Sequence, residues 1–476
     1  MRAGSTASIL IEGVLPFKKT PINVLKRGIE YSPAGLLQAM TIGTNQLRKG
    51  EISANEFIDR LSAGMTGTAI SYLGMLLVKS GLLVGGPGDD EKESQFRDSL
   101  GAQTYAIKLG DTTYTIDWLA PASMPLFVGA EIQNLADTFD GIDGRVVYDS
   151  ILNLAEPMTK MSMLDGINTT IKSVRYGDNP TADIPINAVI SYIGQAIPTL
   201  FGQVARTLDD TARTTYIEKN GGLPDSVQKA LQKNQNKIPG LSQQSIAYRD
   251  VFGRAEKDTS MLSRALKNFI SPGYFSEEKI GSMESELIRV YQNTNESSVL
   301  PSMPTKYFNV NGERKDLTAE EYEKFSYTRG SIMYSNLSGL VESSLYKELD
   351  DTDKASAISD VIELSNALAK SEVSDYQLEG WMEKAKGAVD IGIKAYDFVI
   401  IKREGDIGGW TNKKTGKSVR NSSGVRKANY LITETSLTPS QRSYMYDVLD
   451  VGKEVREMSP EKVKSEYQKM YNEYGR

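Results

Sequence analysis

The chain has 476 residues and contains neither histidine nor cysteine. That double absence removes His-based triads and dyads, thiol nucleophiles, disulfides, and His/Cys metal, haem or iron–sulfur sites. With 55 Lys+Arg against 61 Asp+Glu the net charge is −6, which argues against a chain that binds nucleic acid over its whole surface. A mean hydropathy of −0.35 argues against a polytopic membrane protein.

The opening stretch MRAGSTASILIEGVLPFKK does not read as a secretory signal. Glu12 interrupts its apolar run, and Lys18 and Lys19 stand where a small-residue cleavage site would be. So abrupt and apolar a start suits a chain cut from a longer one, or one that packs at once on a partner. Residues 1–60 read as helical with Gly and Pro breaks. Ser53 and Glu56 have capping-box spacing ahead of Phe57, Ile58 and Leu61. The segment 63–86, AGMTGTAISYLGMLLVKSGLLVGG, carries Lys79 as its one charge. Gly67, Gly74 and Gly81 recur every seven residues. On a helix that leaves a stripe without side chains, where a second helix can approach closely. The uncharged run from 63 to 78 is shorter than the ~20 residues that span a bilayer. A buried core helix is therefore the first expectation, and membrane insertion or interfacial binding the second.

TYAIKLGDTTYTIDW at 104–118 reads as a β-hairpin around Gly110-Asp111. Tyr105, Ile107 and Leu109 alternate on one strand, and Tyr114, Ile116 and Trp118 on the other. Residues 126–176 read as helical, with an apolar patch at Met158, Met161, Met163 and Leu164. A second apolar segment, 184–205, has no charge between Asp183 and Arg206. Asn187, Gln195, Gln203 and a kink at Pro198 suit a core or interfacial helix better than a spanning one. Arg206, Asp209, Asp210 and Arg213 then follow at helical spacing for local ion pairs.

Residues 219–317 are turn-rich and polar. They read as an irregular connector with short helices near 225–235, 258–270 and 276–293, and a hairpin near 307–316 around Asn311-Gly312. Thr318 with Glu321 opens a second helical region. Its apolar positions Tyr322, Phe325, Ile332, Met333, Leu337 and Leu340 fall mostly three or four apart. Helices near 354–370 and 374–398 follow, then a basic, Gly-rich break at 402–427. Thr438-Pro439-Ser440-Gln441 and Ser459-Pro460 start the last helices. The expected fold is mainly α, a multi-helix chain with two small β-hairpins. Three regions are expected: 1–218, Gly-rich and helical with two membrane-capable segments; the connector 219–317; and the helical region 318–476.

Chemical motifs are sparse. TNKKTGKS at 411–418 resembles a phosphate-binding loop but has Thr411 where the first glycine belongs. Asp137, Asp140 and Asp143 lack the spacing of a calcium loop. Asp350, Asp351 and Asp353 sit where they favour a helix N-terminus. No catalytic, cofactor-binding or metal-ligating residue is assigned. The stretch 402–427 holds eight Lys/Arg, two acids and Trp410. Within it Lys413, Lys414, Lys417 and Arg420 are the candidate contacts to DNA or another anion, a solvated loop being the plainer reading.

Five segments together resemble one family, in their order along the chain. They are FKKTPINVLKRGIEYSPAG at 17–35, YAIKLGDTTYTIDWLAP at 105–121, IPTLFGQVARTLDDTAR at 197–213, NFISPGYFS at 268–276 and LTAEEYEKFSYTRG at 317–330. The resemblance is to the large polyvalent-protein-associated domain of tailed phages, prophages and conjugative elements, and to phage internal or ejection proteins. It implies a non-enzymatic structural protein held in the virion interior and delivered with DNA into the host cell, and otherwise present in the cytoplasm of the infected bacterium. It carries no catalytic residue and no cofactor. The partners it implies are further copies or other virion proteins, a host membrane and DNA, with no small-molecule substrate. Two alternatives stay open. One is a nucleic-acid-associated module of a polyvalent protein acting through 402–427. The other is a carboxylate-based cell-wall glycosidase, for which no acid pair has supporting spacing.

Overall fold

The computed structural model of the chain describes residues 26–86, 90–119, 122–139, 199–218, 225–269, 271, 273–310, 312–407, 410–411, 418–419 and 422–474. The fold is mainly α, with three small antiparallel sheets among the described residues. It divides into two compact units, Met1–Ala247 with Lys257–Lys279, and Tyr248–Glu256 with Ile280–Arg476.

In the first unit a helical turn at 26–30 leads to α1 (Pro33–Gln38), capped by the Ser32 hydroxyl, which accepts the Gly35 N–H. A π-helical turn (Ala39–Gly43) joins it to α2 (Thr44–Arg48). Helix α3 (Ala54–Lys79) begins where the spacing predicts, with the Ser53 hydroxyl accepting the Glu56 N–H. It stops two residues before Gly81. The Gly81 N–H donates to Val78 O at 2.8 Å and the Leu82 N–H to Leu77 O at 2.9 Å. Gly81 sits at φ +72°, so the helix ends in a Schellman motif that needs a left-handed residue at this point.

Next come β1 (Leu83–Val84), α4 (Glu91–Ser99), β2 (Ala106–Leu109), β3 (Thr112–Thr115) and α5 (Met124–Phe139). Further along the unit adds α6 (Thr199–Leu208), α7 (Asp225–Gln235), α8 (Met261–Phe269) and β4 (Phe275–Glu277). The predicted hairpin forms, with Ile107 opposite Tyr114, inside a four-stranded sheet of order β1-β2-β3-β4. Tyr105 departs from the expected alternation. Its φ of +52° takes it out of the strand, and its ring packs edge-on to Phe127, 4.8 Å between centroids. It joins Leu83, Ile116, Met124, Phe127, Val128 and Ile132 in the core, while Ile107 and Leu109 stay exposed.

The stretch 219–317 is not a connector between regions. The first unit takes α7, α8 and β4, the last of which extends the hairpin sheet. The second unit takes the remainder, beginning with α9 (Ser282–Thr294) and the predicted second hairpin, β5 (Tyr307–Val310) with β6 (Glu313–Asp316).

Helices α10 (Ala319–Glu342), α11 (Ser344–Lys347) and α12 (Asp351–Val373) follow. Lys324 donates to Glu372 O, and Arg329 to Asn366 Oδ1, so α10 and α12 run antiparallel. Met333, Leu337, Ile358, Val361 and Leu364 are fully buried between them and their neighbours. Two of the three capping boxes read from the sequence close reciprocally, Thr318 with Glu321 and Thr438 with Gln441, while at Ser53 the hydroxyl half forms. Asp350 caps α12 by accepting the Asp353 N–H.

The span 374–398, expected as one helix, is two: α13 (Trp381–Asp390) and α14 (Ala395–Lys402). Gly380 at φ +59° precedes the first, and Gly392 at φ +85° separates them. A π-helical turn (Arg403–Ile407), β7 (Trp410–Thr411), β8 (Ser418–Val419), α15 (Ser422–Glu434), α16 (Pro439–Val448), α17 (Lys453–Arg456) and α18 (Pro460–Tyr474) complete the unit.

Candidate functional site

The fully buried side of helix α3 is built from small residues. Its buried residues are Gly64, Gly67, Ser71 and Gly74, three or four apart and all small. They form a stripe on which other backbones lie. A Cβ added at Gly64 would stand 2.6 Å from Leu36 Cα; at Gly67 it would overlap the Tyr31 carbonyl, and at Gly74 the Leu126 carbonyl. Helix α5 answers with Gly129, where a Cβ would overlap Ser71 O. The Ser71 hydroxyl donates across the interface to Pro125 O at 2.8 Å. This is close backbone approach tied by a hydroxyl, the way helices associate where no hydrophobic drive exists between them.

Met75, Leu77 and Val78 at the end of α3 pack partly against the core, but five large apolar residues point the other way. Ile58, Met65, Tyr72, Leu73 and Leu76 are all exposed, Met65 and Tyr72 by 59% and 61%. Leu37, Met40 and Ile42 stand out from α1 and its π turn. No Asp, Glu, Lys or Arg falls between Arg60 and Lys79. The 26-residue helix is about 39 Å long at 1.5 Å per residue, and its charge-free part, residues 61–78, is about 27 Å, close to the thickness of a hydrocarbon core. A surface helix of an ordinary globular unit turns its large apolar residues inward. The helix packs on the core along one side, through its small residues and Met75, Leu77 and Val78, while the exposed apolar face on its other side marks an interaction surface.

Of the glycines singled out by sequence, Gly67 and Gly74 lie together on the stripe. Gly81 does not, because the helix has already ended and Gly81 serves its C-terminal turn. Gly64 and Ser71 complete the stripe and were missed. The signal was present in the spacing 64, 67, 71, 74, which follows the helix repeat better than glycines at sevens.

The second apolar segment lies partly outside the described residues, which omit 184–198 and with it Pro198. So do the methionine patch at 158–164, Asp140 and Asp143. The described end forms α6, with Leu200, Phe201 and Leu208 exposed. Arg213 pairs with Asp209 at 2.9 Å as the spacing predicts, whereas Arg206 donates to Asn268.

Lys413, Lys414, Lys417 and Arg420 lie outside the described residues. The flanks of their basic stretch turn into the second unit. Lys402 is 8% exposed and lies 4.9 Å from the Trp381 ring centroid. Arg403 pairs with Asp360 at 3.7 Å, and Arg426 with Glu466 at 3.4 Å. Lys427 and Glu404 form a buried ion pair. Desolvation draws the Lys427 ammonium down to about 8, opposed by the charge of Glu348. Lys402 and Lys427 are therefore buried and Arg403 partly so, while Arg426 makes its ion pair at the surface.

Among the described residues no group of three or more acidic side chains is placed to hold a metal ion. Asp351 instead accepts from Arg289 at 2.7 Å and from Asn293 at 2.8 Å, which holds its carboxyl down at about 2.

No protein-family model matches the chain, and neither curated proteins nor solved structures give a significant match.

Proposed function

We propose that the chain is a non-enzymatic structural protein of a phage particle, packaged and delivered with DNA, whose first unit engages a lipid bilayer through α3. The sequence resemblance supplies the phage setting. The observation that carries the membrane role is the packing of α3, with small residues against backbone and five large apolar residues, Ile58, Met65, Tyr72, Leu73 and Leu76, in solvent on one face. Bringing a half-exposed Leu, Met or Tyr out of water is worth of order 1 kcal/mol each, and five such side chains on one helix act together. The second unit offers far less: its exposed large apolar residues are Met303, Tyr307, Tyr327, Tyr334, Val389, Ile391 and Tyr471, spread over several elements. The DNA-binding alternative through 402–427 is weakened by the inward turn of Lys402, Arg403 and Lys427.

Vesicle flotation of the full chain tests the membrane role. Met65→Ser with Tyr72→Ser and Leu76→Ser changes only exposed positions, so the fold is retained, and the vesicle-bound fraction is expected to fall at least tenfold. A wild-type chain that floats with no lipid mixture ends the membrane reading. Mass spectrometry of purified particles tests the virion reading, which absence of the chain would overturn.

A further inference from the structure

The first unit contains an inverted pair of helices, α6 and α8. Their mutual contact is polar. Arg264 Nε donates to Thr207 O at 2.8 Å, Asn268 Nδ2 to Thr207 Oγ1 at 3.3 Å, and Arg206 Nε to Asn268 Oδ1 at 3.2 Å. The Asp258 carboxylate holds Ser263 Oγ at 3.1 Å and Lys267 Nζ at 2.8 Å on the same polar side of α8. With the polar sides turned to each other, the apolar sides face solvent: Leu200, Phe201 and Leu208 on α6, and Leu262, Leu266 and Phe269 on α8, Leu262 being 71% exposed. On α8 the spacing 262, 266, 269 is one helical stripe.

We propose that α6 and α8 are an interfacial anchor that lies flat on an anionic bilayer. This rests on the reading of the first unit as membrane-engaging and names the lipid it selects. Length decides between lying and crossing. The helices have 10 and 9 residues, about 15 Å each, half of a hydrocarbon core. Charge decides the lipid. In a chain of net −6, residues 199–247 with 257–269 carry nine Lys/Arg and five Asp/Glu. Two ion pairs lie within this set, Asp209 with Arg213 and Asp258 with Lys267, and the basic surplus is the same with or without them. Lys229, Lys233 and Lys257 are exposed and pair with no carboxylate among the described residues. A short amphipathic helix with its apolar face outward, in a part of the chain with a basic surplus, binds the headgroup boundary of acidic membranes.

The test uses the full chain with vesicles of phosphatidylcholine alone and of phosphatidylcholine mixed with phosphatidylglycerol. The wild type is expected to bind the mixed vesicles more tightly. Neutralising Lys229, Lys233 and Lys257 to Gln should weaken that binding by about fivefold per residue and leave phosphatidylcholine binding unchanged. Leu262→Ser with Leu266→Ser and Phe269→Ser should remove most of the gain from phosphatidylglycerol while far-UV circular dichroism stays as in the wild type. The α3 triple variant should lower binding to both vesicle types, which separates failure of the anchor from failure of the broader reading. Equal wild-type binding to the two vesicle types overturns the proposal. So does a concentration-dependent dimer that the α8 variant dissolves without changing vesicle binding, since that would give the face to a second copy of the chain.

Discussion

Valine at position 74 or 129 is expected to destabilise the first unit by about 3 kcal/mol or more, at the top of the range for overpacking in a filled interior. At both positions the added carbon meets a carbonyl of the facing helix rather than the end of a flexible side chain, so rotamer change cannot relieve it. The helices must move apart, which also stretches the Ser71–Pro125 hydrogen bond. Hydrogen exchange read by mass spectrometry should show faster exchange throughout α3 and α5, with peptides of the second unit as internal controls. Gly81→Ala provides the contrast. Nothing lies within 4 Å of its added Cβ, and its φ is +72°, so the cost is the left-handed backbone alone, about 1 kcal/mol. If Gly74→Val costs no more than Gly81→Ala, the close approach of α3 and α5 is wrong.

The second large effect is expected at Glu404 and Lys427. Both side chains are under a tenth exposed, and each shields the other's charge from a medium that solvates it poorly. Lys427→Met leaves the Glu404 carboxylate buried without this cation and should cost about 3–5 kcal/mol; Glu404→Leu should cost less, since Lys427 keeps the charge of Glu348. The double variant should cost much less than the sum, because it removes both charges together. Urea unfolding followed by the fluorescence of Trp381, which lies against Lys402 in the same unit, reads this directly. Additive single effects would mean the pair is not coupled.

These two sites show which parts of the molecule were legible in the sequence. Local chemistry was. Ser53, Thr318, Asp350 and Thr438 cap their helices through the predicted partners, and both hairpins form around their turn residues, because caps and tight turns depend on neighbours a few residues away. Long-range pairing was not. Strand β4 joins β3 across more than 150 residues, and the short segment Phe275–Glu277 carries no alternation to announce it. The inward turn of Lys402, Arg403 and Lys427 was equally hidden, since a basic run reads as solvated until its acid partners, Asp360 and Glu404, are folded against it. For α3 the composition was legible but its direction was not. Sequence identified an apolar helix with a glycine stripe. Only the fold shows that the stripe is the buried side and five of the large residues the open one.

The absence of cysteine gives a direct measurement of that orientation. A single cysteine at position 73, labelled with a polarity-sensitive fluorophore, reports the environment of the exposed face of α3. A second chain with cysteine at 389, an exposed position on α13 of the second unit, serves as the reference. On adding vesicles, the label at 73 is expected to shift to the blue and to be quenched by lipids brominated on their acyl chains, while the label at 389 does neither. A label at 73 that stays in a water-like environment on vesicles carrying the bound chain would contradict the account.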